Sequence, residues 1–94
     1  MARNGQVPIT DVWTQLTNDD VTSITFQNVS GYGIYVQVTV GETPPATGAQ
    51  GILYNPYSGE RNADLADLAP GIAGTRIYAR TGAGQSGIVW VSHA

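Results

Sequence analysis

Few side chains in this 94-residue chain can do chemistry, and their spacing does not help them. The only histidine, His93, is next to last. A serine-type nucleophile needs a base held firmly beside it, which a penultimate residue seldom provides, so His93 reads as an exposed terminal residue. With no second histidine and no cysteine, there is no nitrogen or sulfur ligand set for a metal. Asp64 and Asp67, three apart, would share one face of a helical turn and are the only paired carboxylates at a useful spacing. They alternate with Ala and Leu, as the polar side of a turn with buried leucines does. Asp19 and Asp20 lie in "TNDD", where no further oxygen ligands follow at calcium-loop spacing, so the segment reads as a solvated turn. "TGAGQSG" has the glycines of a phosphate loop but no lysine, and a strand follows it, so it reads as a hairpin turn. The sequence thus predicts no enzyme, no metal and no cofactor.

The aromatic residues say more. Phe26 alone lacks a polar tip, while Trp13, Tyr32, Tyr35, Tyr54, Tyr57, Tyr78 and Trp90 each carry one. Alternation within "IYVQV" and "TRIYAR" turns Tyr35 and Tyr78 outward, and outward Tyr and Trp are enriched at protein interfaces. Sugar-binding sandwiches use the same residues as stacking platforms, which makes Tyr35, Tyr54, Tyr57 and Trp90 candidates for that role as well.

Composition narrows the partners. Charged residues make up 12% of the chain, about half the usual ~25%. There is no lysine, and four arginines against seven acidic residues give a net charge of −3. Binding driven by phosphate neutralisation needs concentrated positive charge, so no nucleic-acid partner is expected. No apolar run approaches the ~20 residues of a membrane span, and "MARNGQVPITD" lacks the apolar core of a signal peptide. No membrane association is expected, and synthesis in the cytoplasm is. "NVS" at Asn28 to Ser30 fits a glycosylation sequon and reads as a chance match.

Residues 1–10 hold Gly5, Pro8 and no periodicity, and are expected to form an extended N-terminal arm; residues 11–94 are expected to form a single domain. "DVWTQL" (11–16) resembles a short strand. In "VTSITFQN" Ile24 and Phe26 share one face, and in the next run Ile34, Val36, Val38 and Val40 do, so these two predict a hairpin across "VSGYG". "GETPPATGAQG" (41–51) is a loop expected to cross between sheets. Ile52 to Tyr54 is a short strand, and residues 63–68 favour one helical turn, with Asn62 as its cap and Leu65 and Leu68 facing the core. "TRIYAR" is a strand, and in "IVWVSHA" both faces are apolar, which places that strand centrally or against another subunit. The expected fold is all-β, a small β-sandwich or jelly roll of six to eight short antiparallel strands.

The order of "VTSITFQNVSGYGIYVQV", "ETPPAT", "GILYNPYSGE" and "IYARTGAGQSGIVWVS" resembles small virion proteins of tailed bacteriophages. In these a Phe-x-Asn strand, a valine-rich strand, a Pro-rich loop and an aromatic-Ala-Arg strand follow one another. The resemblance spans about residues 11–92 and is similar to capsid decoration (cement) proteins and head-spike components. It implies a structural protein of the outer head surface that binds the major capsid protein as a homotrimer and takes no small-molecule substrate. Under that reading Arg3, Gln6, Val7, Pro8 and Trp13 are candidates for capsid contact, and Tyr78, Ile88 and Trp90 for the trimer interface. A carbohydrate-binding or structural module of a tail or head fibre is the alternative.

Overall fold

The computed structural model describes residues 2–94. Its elements are β1 (Arg3–Thr10), β2 (Thr14–Gln15), β3 (Ser23–Asn28), β4 (Ile34–Thr39), β5 (Ile52–Tyr54), β6 (Gly59–Asp64), α1 (Leu65–Leu68), β7 (Arg76–Thr81) and β8 (Ser86–His93). Two four-stranded antiparallel sheets pack face to face, sheet A in the order β1-β8-β3-β6 and sheet B in the order β2-β7-β4-β5. Strand β1 pairs with β8, β2 with β7, β3 with β6 and β4 with β5. The chain is therefore one long antiparallel ribbon, doubled back at residues 40–51 and rolled up, which is the jelly-roll form of the sandwich.

Alternation decides which side of each strand is inside. From sheet A, Val7, Ile9, Ile24, Phe26, Val89 and Val91 point inward, and they meet Ile34, Val36, Val38, Ile77 and Ala79 from sheet B. Leu65 on α1 closes one side of this core and Leu68 packs against it. Asp64 caps α1 by position without a side-chain bond, and Asn62 lies in β6 with φ 47°, so the cap expected at Asn62 is not there.

Five other local expectations are corrected. Residues 3–10 are no loose arm but strand β1, in register with β8 from Arg3↔His93 to Thr10↔Ser86. Val7 and Ile9 give only two inward positions, too few to show a period, and Pro8 looks like a breaker although an edge strand tolerates it. The β3 and β4 runs form no hairpin: they belong to opposite sheets, so that their apolar faces meet across the core. The loop at 41–51 stays within sheet B, joining β4 to β5, whereas "TGAGQSG" turns the corner from sheet B to sheet A. The "DVWTQL" strand shrinks to Thr14–Gln15.

Close approach of β6 to β3 depends on Gly59, where an added Cβ would overlap the carbonyl of Phe26; Gly5 has open space around it. Gly59→Ala is therefore expected to cost about 1–3 kcal/mol, read as a lower urea midpoint, while Gly5→Ala leaves the midpoint nearly unchanged.

Candidate interaction surfaces

The corners that hold the surface in place meet at one buried amide. Asn28 ends β3 fully buried, and its Nδ2 donates to the carbonyls of Tyr32 (2.7 Å), Asn55 (3.2 Å) and Tyr54 (3.3 Å). Its Oδ1 accepts from the backbone N–H of Ser30 (3.0 Å) and from Ser30 Oγ (2.7 Å). Ser30 Oγ in turn lies 3.2 Å from the carbonyl of Ile88 and accepts from its N–H at 3.1 Å. Two of the crossovers between the sheets, 29–33 and 55–58, are thereby tied to β8. A residue this buried cannot accept a glycan, so the sequon is not a modification site in the folded chain.

The outer face of sheet B is covered by the chain itself. The 41–51 loop folds back over it, with Tyr78 Oη bonded to the carbonyl of Glu42, Trp13 Nε1 to that of Ala46 (3.2 Å) and Arg80 Nη2 to that of Ala49 (3.1 Å). The Arg80 guanidinium sits over both the Trp13 ring (5.1 Å) and the Tyr35 ring (4.6 Å), a double cation–π contact. At the foot of the loop Arg76, its side chain only 10% exposed, meets Asp20 (2.7 Å), Glu42 (3.5 Å) and Asp19 (4.0 Å). The "TNDD" turn is thus held by a guanidinium. A cavity of ≈310 Å³ remains between Trp13, the loop prolines and Arg80.

Sheet A leaves its outer face open. Alternation with the buried Val7 and Ile9 turns Gln6 and Pro8 outward, and register sets Gln6 opposite Trp90 and Pro8 opposite Ile88; Trp90 is also paired with Gln27 on β3. A shallow groove of ≈590 Å³ runs beside Trp90, lined by Thr25, Gln27, Tyr57, Glu60, Arg61 and Ser92 among others. Tyr57, 68% exposed, stands at its rim on a backbone with φ 66°, and Gln27 Nε2 donates to its carbonyl at 3.0 Å.

The sheet edges differ in protection. Strand β1 carries Pro8, β2 has two residues, and β6 carries Glu60, Arg61, Asp64 and a register shift opposite Ile24 to Phe26. Strand β5, three residues long, is guarded by shortness alone and carries no proline, charged residue or register shift: Ile52 is 41% exposed, Leu53 55%, and Leu53 lies against Gly33, next in sequence to the 53% exposed Tyr32.

The residues singled out in the sequence therefore separate. Gln6, Pro8, Ile88 and Trp90 come together on one face, although they were assigned to two interfaces. Val7 is in the core, and Arg3 Nη1 bonds the Leu16 carbonyl at 2.9 Å. Tyr78 does not point to solvent; at 6% exposure under the loop, it offers no surface. Trp13 and Tyr35 pack against Arg80. Tyr54 is 8% exposed, edge-on to Phe26 at 5.0 Å, with its hydroxyl donating to Glu60 at 3.1 Å, so it is no stacking platform. His93 is buried, not exposed. Asp64 and Asp67 are both exposed, and among the described residues no group of three or more His, Cys, Asp or Glu is placed to hold a metal ion. The sequence reading missed Asn28, Arg76 and Arg80; the only signal was their polarity within otherwise apolar strands. Compared with family models, curated proteins and solved structures, the chain finds no match in any of the three.

Removing the Asn28 amide leaves buried carbonyls without donors. Asn28→Ala is expected to lose about 3 kcal/mol of stability in chemical denaturation, and Asn28→Asp to be no better, since a carboxylate cannot donate to three carbonyls. Burial, followed by the hydrogen bond and charge of Glu60, pushes the Tyr54 hydroxyl up to about 12, against about 10 in the unfolded chain. Its contribution is complete below pH ~10 and is lost as pH rises through ~12. Burial, then Glu42, raises Tyr78 as well. Unfolding midpoints measured across this range should fall with pH, less steeply in Tyr54→Phe; an unchanged slope would refute the assignment.

Proposed function

We propose that this protein is a non-enzymatic structural component, a capsid decoration protein that assembles as a trimer and seats on the major capsid protein of a phage head. The observation that carries the assembly reading is the exposed apolar β5 edge. A sheet edge presents unpaired backbone groups that pair readily with another chain, and proteins blunt edges that must stay single with proline, charge, bulges or shortness. Strands β1 and β6 carry proline, charge or a register shift, and β2 is only two residues long, whereas β5 has shortness alone, at three residues. It offers Ile52 and Leu53 to a partner, with no charged residue in the strand whose desolvation would oppose docking. The phage setting and the threefold symmetry rest on the sequence resemblance, and jelly rolls recur in virion proteins as in lectins, so fold alone does not choose between them.

Leu53→Lys tests the interface without threatening the fold, because Leu53 is more than half exposed. The wild type is expected to run as an oligomer in light scattering and to co-sediment with expanded capsids. The variant is expected to keep its melting temperature, fall to monomer mass and lose most capsid binding. A wild-type monomer that also fails to co-sediment would end this reading.

A further inference from the structure

We propose that the groove on the outer face of sheet A binds a saccharide, with Tyr57 and Trp90 as the stacking surfaces. The site lies over β3 and β8, the two interior strands of sheet A, whose backbones are paired on both sides, with the edge strand β6 along one flank. Over β3 and β8 no peptide can be recognised by adding a strand, and the β6 edge carries charge and a register shift, so a ligand in the groove is met by side chains. Those side chains are two aromatics with polar tips, the hydroxyls of Thr25 and Ser92, the amide of Gln27, and one group of each charge, Glu60 and Arg61. A mixture of flat apolar surface and planar or hydroxyl polar groups suits a pyranose, which has an apolar C–H face and a rim of hydroxyls. Base stacking could use the same rings, but a nucleic acid also needs its phosphates neutralised. Arg61 is the only cation lining the groove, in a chain of net charge −3.

The backbone supports the same site. Tyr57 and Asn62 are the two non-glycine residues with positive φ among those described, and they flank the groove on either side of Gly59 to Arg61. A bulky residue at φ 66° is strained, and such strain persists where the surroundings enforce it. Here the enforcing contacts are the Asn28 carbonyl, which accepts from the Tyr57 N–H at 2.7 Å, and the Gln27 amide on the Tyr57 carbonyl. At the other end the Asn62 N–H donates to Thr25 Oγ1 at 2.8 Å, where β6 slips register against β3. The result is a tyrosine ring displayed at the groove rim with its turn fixed. The site does not involve the β5 edge, so it stands apart from the assembly proposal.

The test is a ¹H–¹⁵N NMR titration with maltoheptaose, cellohexaose and chitotetraose, preceded by a glycan array carrying neutral and acidic oligosaccharides whose hits join the titration. At least one glycan should shift the Trp90 indole N–H and the amides of residues 57–61, leaving the Trp13 indole N–H, bonded to Ala46, in place. Tyr57→Gly removes the ring and relieves the positive φ, so it should fold at least as stably as the wild type while weakening binding about tenfold or more. Leu53→Lys should bind the glycan as the wild type does, which separates this site from the β5 edge. The proposal is overturned if the array and all three oligosaccharides leave Trp90 unmoved, or if binding survives unchanged in Tyr57→Gly.

Discussion

The roll is fastened by a single buried amide. Two N–H groups of Asn28 are shared among three carbonyls, and its oxygen takes both the N–H and the hydroxyl of Ser30. Sheets that pack through apolar faces alone could slide, because hydrophobic contact has no direction. A satisfied polar node in the interior fixes one arrangement, since any slip leaves several groups without partners. Here the node joins the end of β3, the crossovers at 29–33 and 55–58 and, through Ser30, strand β8. The position of Tyr57 at the groove rim and the path of β5 both follow from it.

Two of the four arginines are turned onto the fold itself. Arg76 is turned onto Asp20 and Glu42, and Arg80 lies between two aromatic rings with its N–H groups on the carbonyls of Thr81 and Ala49. These contacts fasten the 41–51 loop to sheet B, so that the longest loop of the chain covers its own sheet and is not free to reach a neighbour. What remains exposed on β5 and across sheet A is largely uncharged, and such surface can be covered without stripping water from ions.

Much of this was legible in the sequence, and the failures have a common cause. Alternation at Ile24 and Phe26, at Ile34 to Val38 and at Ile77 and Ala79 gave the inward faces, and the helical turn at 65–68 followed from Leu65 and Leu68. Period two identifies a face but not the strand it pairs with, so two runs adjacent in sequence look like a hairpin where the chain crosses between sheets. Tyr78 was read as outward, correctly for its strand, but a loop from 36 residues away in sequence covers it. Residue type says nothing about burial, and Tyr54, a platform by type, lies inside. Strand β1 was missed because its partner, β8, lies at the other end of the chain. Of the groove, the sequence offered Trp90 and Tyr57 as separate candidates; their meeting depends on the turn that Asn28 holds.

The central claim is that the chain works as an assembled surface whose contacts are made at the β5 edge. Cryo-electron microscopy of expanded capsids incubated with the protein tests it most directly. The account predicts trimeric density on the outer shell in which Ile52 and Leu53 of each copy lie in a protein contact and the sheet A groove faces solvent. Bare capsids, or bound protein with every β5 edge in solvent, would contradict it.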